Sequence, residues 1–245
     1  MYTISLLRSF PYVLNHKQQI AFSTLSHLLD HVLSQDYFQR KFMQEHSGKG
    51  DEELSITERN EMLASLWATV STLYFIEKVC RCEPDMLGFA YEKSNLPNFV
   101  PSVSNLRNAK DHIAQRIENF ANSQYLSPIN GLVRWTFNPR VEGEEVVISL
   151  QIFTVDPMLK SFKIPTADGI DVNTKPFDHL ALFAFGDCLQ VSRAHEALQG
   201  FLQLLTEQLA FALKKAEADS ATKKTELSEA EQRPFCVVGE GRFSI

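Results

Sequence analysis

The sequence predicts an α+β fold: an N-terminal helical bundle, a small antiparallel sheet of about four strands, and a C-terminal helix packing back on the bundle. Three observations predict it. Apolar residues recur at helical spacing as far as Gln124, change to alternating or continuous β-rich runs between residues 130 and 191, and return to helical spacing from residue 193 to Leu213. No internal repeat and no mid-chain linker interrupts them, so residues 1–213 read as a single α+β domain, helical over 15–124, with strands over 130–191 and a helix over 193–213. Residues 214–245 read as a charged linker and tail.

The first helix is carried by Leu25, Leu28, Leu29, Val32 and Leu33, which share one face between Asn15 and Glu45. Ser47-Gly48-Lys49-Gly50 ends it as a loop. Ser55-Ile56-Thr57-Glu58 then has the spacing of a capping box, in which Ser and Glu satisfy each other's free backbone donors. The stripe Leu63, Leu66, Trp67, Val70, Leu73 and Tyr74 makes the second helix, reaching Cys80. A short helical turn is expected over Asp85–Glu92, followed by an extended loop, because Pro97 and Pro101 each lack a backbone donor and restrict the residue before them. The third helix is expected to start at Ser102 or Ser104 and to run to Ser123, with Leu106, Ala109, Ile113, Ile117 and Phe120 on its apolar side.

Beyond Pro128 the stretch Leu132–Phe137 and the run Glu145–Val155 read as two strands of a hairpin, with Glu142-Gly143-Glu144 as the turn. Ser161–Pro165 is a candidate short strand. His179–Phe185 and Cys188–Val191 form a second hairpin around Gly186-Asp187, and Ser192 is expected to cap the last helix. That helix is the most regular element, with Leu198, Phe201, Leu202, Leu205, Leu209, Ala212 and Leu213 on one face.

Composition excludes classes more than it selects one. Of 245 residues, 44% are hydrophobic, too many for wholesale disorder, and ten Gly and ten Pro exclude collagen-like chains. A formal net charge of −6 argues against wholesale wrapping of nucleic acid and leaves room for a local basic site. Cys80, Cys82, Cys188 and Cys236 are too few and too scattered for a disulfide scaffold, so a reducing, cytoplasmic setting fits. No leader-like n-region and h-region opens the chain and no long apolar run occurs, so no membrane association is expected.

One constellation carries chemistry. Arg107-Asn108-Ala109-Lys110-Asp111-His112 lies on the polar side of the third predicted helix, turned away from the apolar stripe. Asn108 and His112 are one turn apart, close enough for the amide to orient the imidazole, and Arg107 is a permanent cation beside them. An imidazole works as general acid or base near neutral pH, and a guanidinium holds a phosphate and stabilises charge on its oxygens. Alternatively, Arg107 pairs with Asp111 at i, i+4 and the face is simply solvated.

These six residues resemble the R-x4–6-H motif of HEPN domains, a family of helical domains. The resemblance covers this motif and the helical context of residues 15–124, and not the strands. It implies metal-independent RNA cleavage through attack of the ribose 2′-hydroxyl, with Arg107 and His112 as the catalytic pair and Asn108 as polar helper. It also implies a homodimer whose third helices face each other. Lys110 and Arg116 stand nearby as residues to bind RNA or a nucleotide, and no cofactor is expected.

Two other readings compete with it. The chain is alternatively a non-catalytic interaction or structural protein, in which case His112 pairs locally and no cleft surrounds it. His27 and His31, one turn apart beside Asp30, are spaced to share a metal, but a closed site needs further ligands that the local sequence lacks. Cys80-x-Cys82 lacks the two-residue spacing of zinc knuckles and redox pairs, and Gly239-Glu240-Gly241 is not a phosphate loop.

Overall fold

The computed structural model describes residues 15–46, 54–113, 129–142, 145–154 and 179–223. Helices α1 (His16–His46) and α2 (Ile56–Cys82) form the long antiparallel pair that the two apolar stripes require. Asn15 and Gln18 open α1 by exchanging hydrogen bonds, the Asn15 Oδ1 accepting from the Gln18 amide at 3.0 Å and the Gln18 Oε1 from the Asn15 amide at 3.1 Å. The predicted faces are the buried ones: Leu25, Leu29 and Val32 of α1 meet Leu63, Leu66, Val70 and Leu73 of α2 in one core cluster.

The capping box of α2 is formed in full. The Glu58 amide donates to Ser55 Oγ at 3.3 Å, and Glu58 Oε2 accepts from the Ser55 amide at 2.7 Å. His46, the last residue of α1, reaches Glu58 Oε1 at 3.1 Å, so the cap also joins the two helix ends. The Ser55 hydroxyl, then His46, then the Ser55 amide hold the Glu58 carboxyl down at about 2. Ser55→Ala is expected to cost about 1 kcal/mol of stability, the ordinary loss of a helix cap, measured as a lower urea midpoint.

After α2 the chain turns through a π-helical turn, Pro84–Gly88, into the short helix α3 (Phe89–Lys93). A 3-10 turn, Leu96–Phe99, then runs straight into α4 (Val100–Asp111), where an extended loop was expected. The prolines explain the difference. Pro97 and Pro101 each stand in the first turn of their element, where an amide has no helical acceptor and its absence costs nothing. Helix α4 therefore begins before Ser102 and Ser104, which are inside it rather than capping it. It ends at Asp111, and the expected continuation to Ser123, with Arg116, Ile117 and Phe120, lies outside the described residues. Val103, Leu106 and Ala109 bury its apolar side against α2.

The sheet has four antiparallel strands in the order β2-β1-β3-β4: β1 (Leu132–Glu142), β2 (Glu145–Thr154), β3 (Ala181–Ala184) and β4 (Asp187–Gln190). Register runs from Leu132↔Thr154 to Glu142↔Glu145, with a shift between Phe137 and Arg140. Asn138-Pro139 falls at that shift, and a bulge is where a strand tolerates a residue without an amide proton. Alternation sorts β1 and β3 into two faces: Val133, Trp135, Leu182 and Ala184 join the main core, while Leu132, Ala181 and Phe183 form a second small cluster with Ile152 and Cys188. Arg134 lies on that second face, its guanidinium 5.1 Å from the Phe183 ring.

The β3–β4 turn is Phe185-Gly186, one residue earlier than the Gly186-Asp187 expected. Both residues have positive φ, 54° and 85°, as a primed hairpin turn needs. A bulky residue there is strained, and burial of the Phe185 ring beside Trp67 offsets the cost. Gly131 (φ 121°) makes the closest approach of sheet to bundle: a Cβ there would stand 2.9 Å from both Leu63 and Leu182.

The last helix, α5 (Val191–Lys223), begins without a break after β4 and continues past the expected end at Leu213. Ser192 stands in its first turn, and its hydroxyl accepts the Leu180 amide at 2.9 Å instead of capping the helix. Ala194, Leu198, Phe201, Leu205 and Leu209 are buried. The helix packs back on the N-terminal helices, where Gln208 donates to the Met86 carbonyl and His195 meets Gln39 of α1. The short strand expected at Ser161–Pro165 lies outside the described residues.

Candidate functional site

The six-residue motif falls at the end of α4. Arg107 forms an ion pair with Asp111 one turn on, so the guanidinium that the motif needs for a phosphate is already held by a carboxylate. Its Nε is buried with no hydrogen-bond partner. His112 is the residue after the helix, with φ −108° and ψ 26°, and its amide donates to the Asn108 carbonyl. Asn108, Lys110 and His112 are exposed. Lys110 places its ammonium 4.9 Å from the Trp67 ring, and partial burial, then the charge of Arg107, draws its pKa down. Helix α4 is also tethered to the sheet, since Asn105 donates to Asp187 at 3.2 Å. The structure thus brings Arg107 to Asp111 and leaves Asn108 and His112 on a solvated helix end; Arg116 lies outside the described residues.

The histidine pair of α1 is divided. His31 Nδ1 donates to Thr72 Oγ1 at 2.8 Å, because that hydroxyl itself donates to the Ala68 carbonyl, while His27 is exposed. Among the described residues no group of three or more His, Cys, Asp and Glu could hold a metal. Neither Cys80 nor Cys188 is poised as a thiolate: burial, with Glu77 nearby, pushes Cys80 up to about 12, and burial pushes Cys188 up to about 11. Cys236 lies outside the described residues.

A cleft of about 640 Å³ opens elsewhere, between the segment from the end of α3 to the 3-10 turn and the first half of α5. Local folding positions each wall. Ser94 is buried and closes the turn after α3 by donating to the Tyr91 carbonyl at 2.7 Å and accepting the Leu96 amide, which presents Lys93 and Asn98 to the cleft. The backbone of Leu180 is pinned to the start of α5 through Ser192 and Val191, which sets His179 at the cleft wall. Arg193, Glu196 and Gly200 follow one another around α5 at roughly one-turn spacing.

The charges in this cleft are uncommitted. Among the described residues, Lys93, Arg193 and Glu196 enter no ion pair, unlike Arg107, Arg40, Arg81 and Lys17, which each hold a carboxylate. Gly200 lies within an otherwise regular helix, and a Cβ built there would meet nothing within 4 Å. Its space is the cleft itself. Sequence reasoning missed this site because three distant segments assemble it. The single local signal is Gly200, a poor helix former in the middle of the most regular helix of the chain.

No helix among the described residues is long and apolar enough to cross a membrane. Comparison of the chain with protein-family models, with curated proteins and with solved structures gave no match.

Proposed function

We propose that the protein is a non-catalytic binding protein and that the cleft between α5 and the 3-10 turn is its ligand site. The observation that carries this reading is the contrast in charge commitment: Arg193 and Lys93 line a cavity of small-molecule size without entering an ion pair, whereas Arg107 is neutralised by Asp111 at the end of its helix. A ligand gains most from cations that need not first give up a partner. The free thiols Cys80, Cys82 and Cys188 suit a reducing, cytoplasmic setting for this role.

A metal-independent endoribonuclease is the second reading, favoured by the exposure of Asn108, Lys110 and His112 on the same helix end. It requires Arg107 to leave Asp111, and a homodimer through α4 would supply a partner helix to draw it away. Incubation of a structured RNA with the wild type, Arg107→Ala and His112→Ala separates the two. On the binding reading all three leave the RNA intact, and light scattering gives the wild type no dimer that depends on α4. Cleavage by the wild type that both substitutions abolish, with the fold retained by circular dichroism, would overturn it.

A further inference from the structure

We propose that the cleft takes a small organic oxyanion, a carboxylate or phosphate monoester carrying an apolar or aromatic body. The inference rests on the reading of the cleft as the ligand site and adds the chemistry of the ligand. Arg193 and Lys93 both line it, one on α5 and the other at the end of α3. A guanidinium fork matches the two oxygens of a carboxylate or phosphate, and an ammonium adds a mobile point charge. In a chain of net charge −6, a cavity lined by two unpaired cations against the single carboxylate of Glu196 is a local reversal of sign, which favours anions over cations.

The headgroup alone does not account for the cavity. Phe99 and Leu204 are half-buried in its lining, and Gly200 leaves the helix backbone bare, so a flat apolar group can lie against α5. A cleft of about 640 Å³ also has room for more than an inorganic ion. Glu196, one turn from Arg193, lowers the local positive potential. It therefore opposes anions and makes their binding weaker than the two cations alone would give.

Calorimetric titration of the full chain with phenylacetate, phenyl phosphate, benzyl alcohol and inorganic phosphate tests this. Both aryl anions are expected to bind about tenfold or more tightly than the neutral alcohol or the bare ion. Which aryl anion binds more tightly identifies the headgroup. The double variant Lys93→Gln, Arg193→Gln should bring the aryl anions to the level of benzyl alcohol, and Glu196→Gln should tighten them several-fold. Gly200→Leu should block every aryl probe while leaving the circular dichroism spectrum unchanged, because the added side chain fills the cleft and touches no protein atom near its Cβ. If benzyl alcohol binds as tightly as the anions and Gly200→Leu still blocks both, the oxyanion assignment is overturned and the cleft remains a ligand site. Binding that ignores Gly200→Leu overturns both, as does a wild type that binds none of the probes.

Discussion

Trp135→Ala should lower the free energy of unfolding by about 3–5 kcal/mol, the range for removing a large aromatic from a core that cannot collapse around the space. Trp135 is fully buried in the first half of β1. Its ring meets Phe42 of α1 edge-on at 6.1 Å and Phe153 of β2 at 5.6 Å, so one side chain ties the bundle to two strands. Collapse is opposed at the neighbouring end of β1, where Trp67 donates to the Asn130 carbonyl at 2.8 Å and Thr154 donates to that of Gly131 at 2.9 Å. Those bonds, with the tight approach of Gly131 to Leu63 and Leu182, hold the sheet at its distance. Trp135→Phe is the informative companion. The indole Nε1 is buried with no acceptor, so phenylalanine removes an unsatisfied donor along with some packing, and a loss of about 1–2 kcal/mol is expected. Urea unfolding of the three proteins measures both, and an alanine variant within 1 kcal/mol of wild type would mean that the sheet is not seated on this residue.

What the sequence made legible follows from the range of each interaction. Helices α1, α2 and α5 declare themselves because their buried faces repeat every turn, and the Ser55–Glu58 box is readable because both partners are three residues apart. The Arg107–Asp111 pair was open to inspection for the same reason, as one of two fates for Arg107. Errors arose where one residue type has two uses. Pro97 and Pro101 break helices in the interior but open them in the first turn, and only the position of Leu96 and Val100 in space decides. Phe185 looked like the end of a strand, and its left-handed backbone is tolerated only because Trp67 waits beside its ring. The cleft was beyond local reading altogether: Lys93, His179 and Arg193 each look like ordinary members of their segments until the fold gathers them.

Gln39 is the clearest case of a residue with no sequence signal and a large expected effect. In α1 it reads as one polar residue among many, yet it is 1% exposed and holds three partners on two other helices. Its Nε2 donates to Ser65 Oγ and Thr69 Oγ1, both at 3.0 Å, which turns Oε1 toward His195 Nε2 of α5 at 3.1 Å. Thr69 also donates to the Ser65 carbonyl, so Gln39→Leu strands chiefly Ser65 and His195, and about 3–5 kcal/mol is expected from two buried polar groups left unpaired.

The same arrangement fixes a pH dependence. Because Gln39 Oε1 only accepts, His195 carries its proton on Nε2, and Nδ1 is buried with no donor. Burial lowers the His195 pKa; Asp36 at 3.8 Å opposes this, and Arg40, itself paired with Asp36, reinforces it. The folded chain therefore takes up this proton less readily than the unfolded chain, whose histidine titrates near 6.5. Stability from this group is full above that pH and falls as the pH drops toward the lowered value, by at most about 1.4 kcal/mol per unit. Glu58 acts in the same sense only below 4.5, as the pH falls toward about 2, so it does not disturb the window. Urea unfolding of wild type and His195→Gln at pH 7.5, 6.5 and 5.5 should show the wild type losing stability more steeply. Parallel slopes would mean that His195 accepts a proton within the fold, against a neutral imidazole held between Gln39 and a dry core.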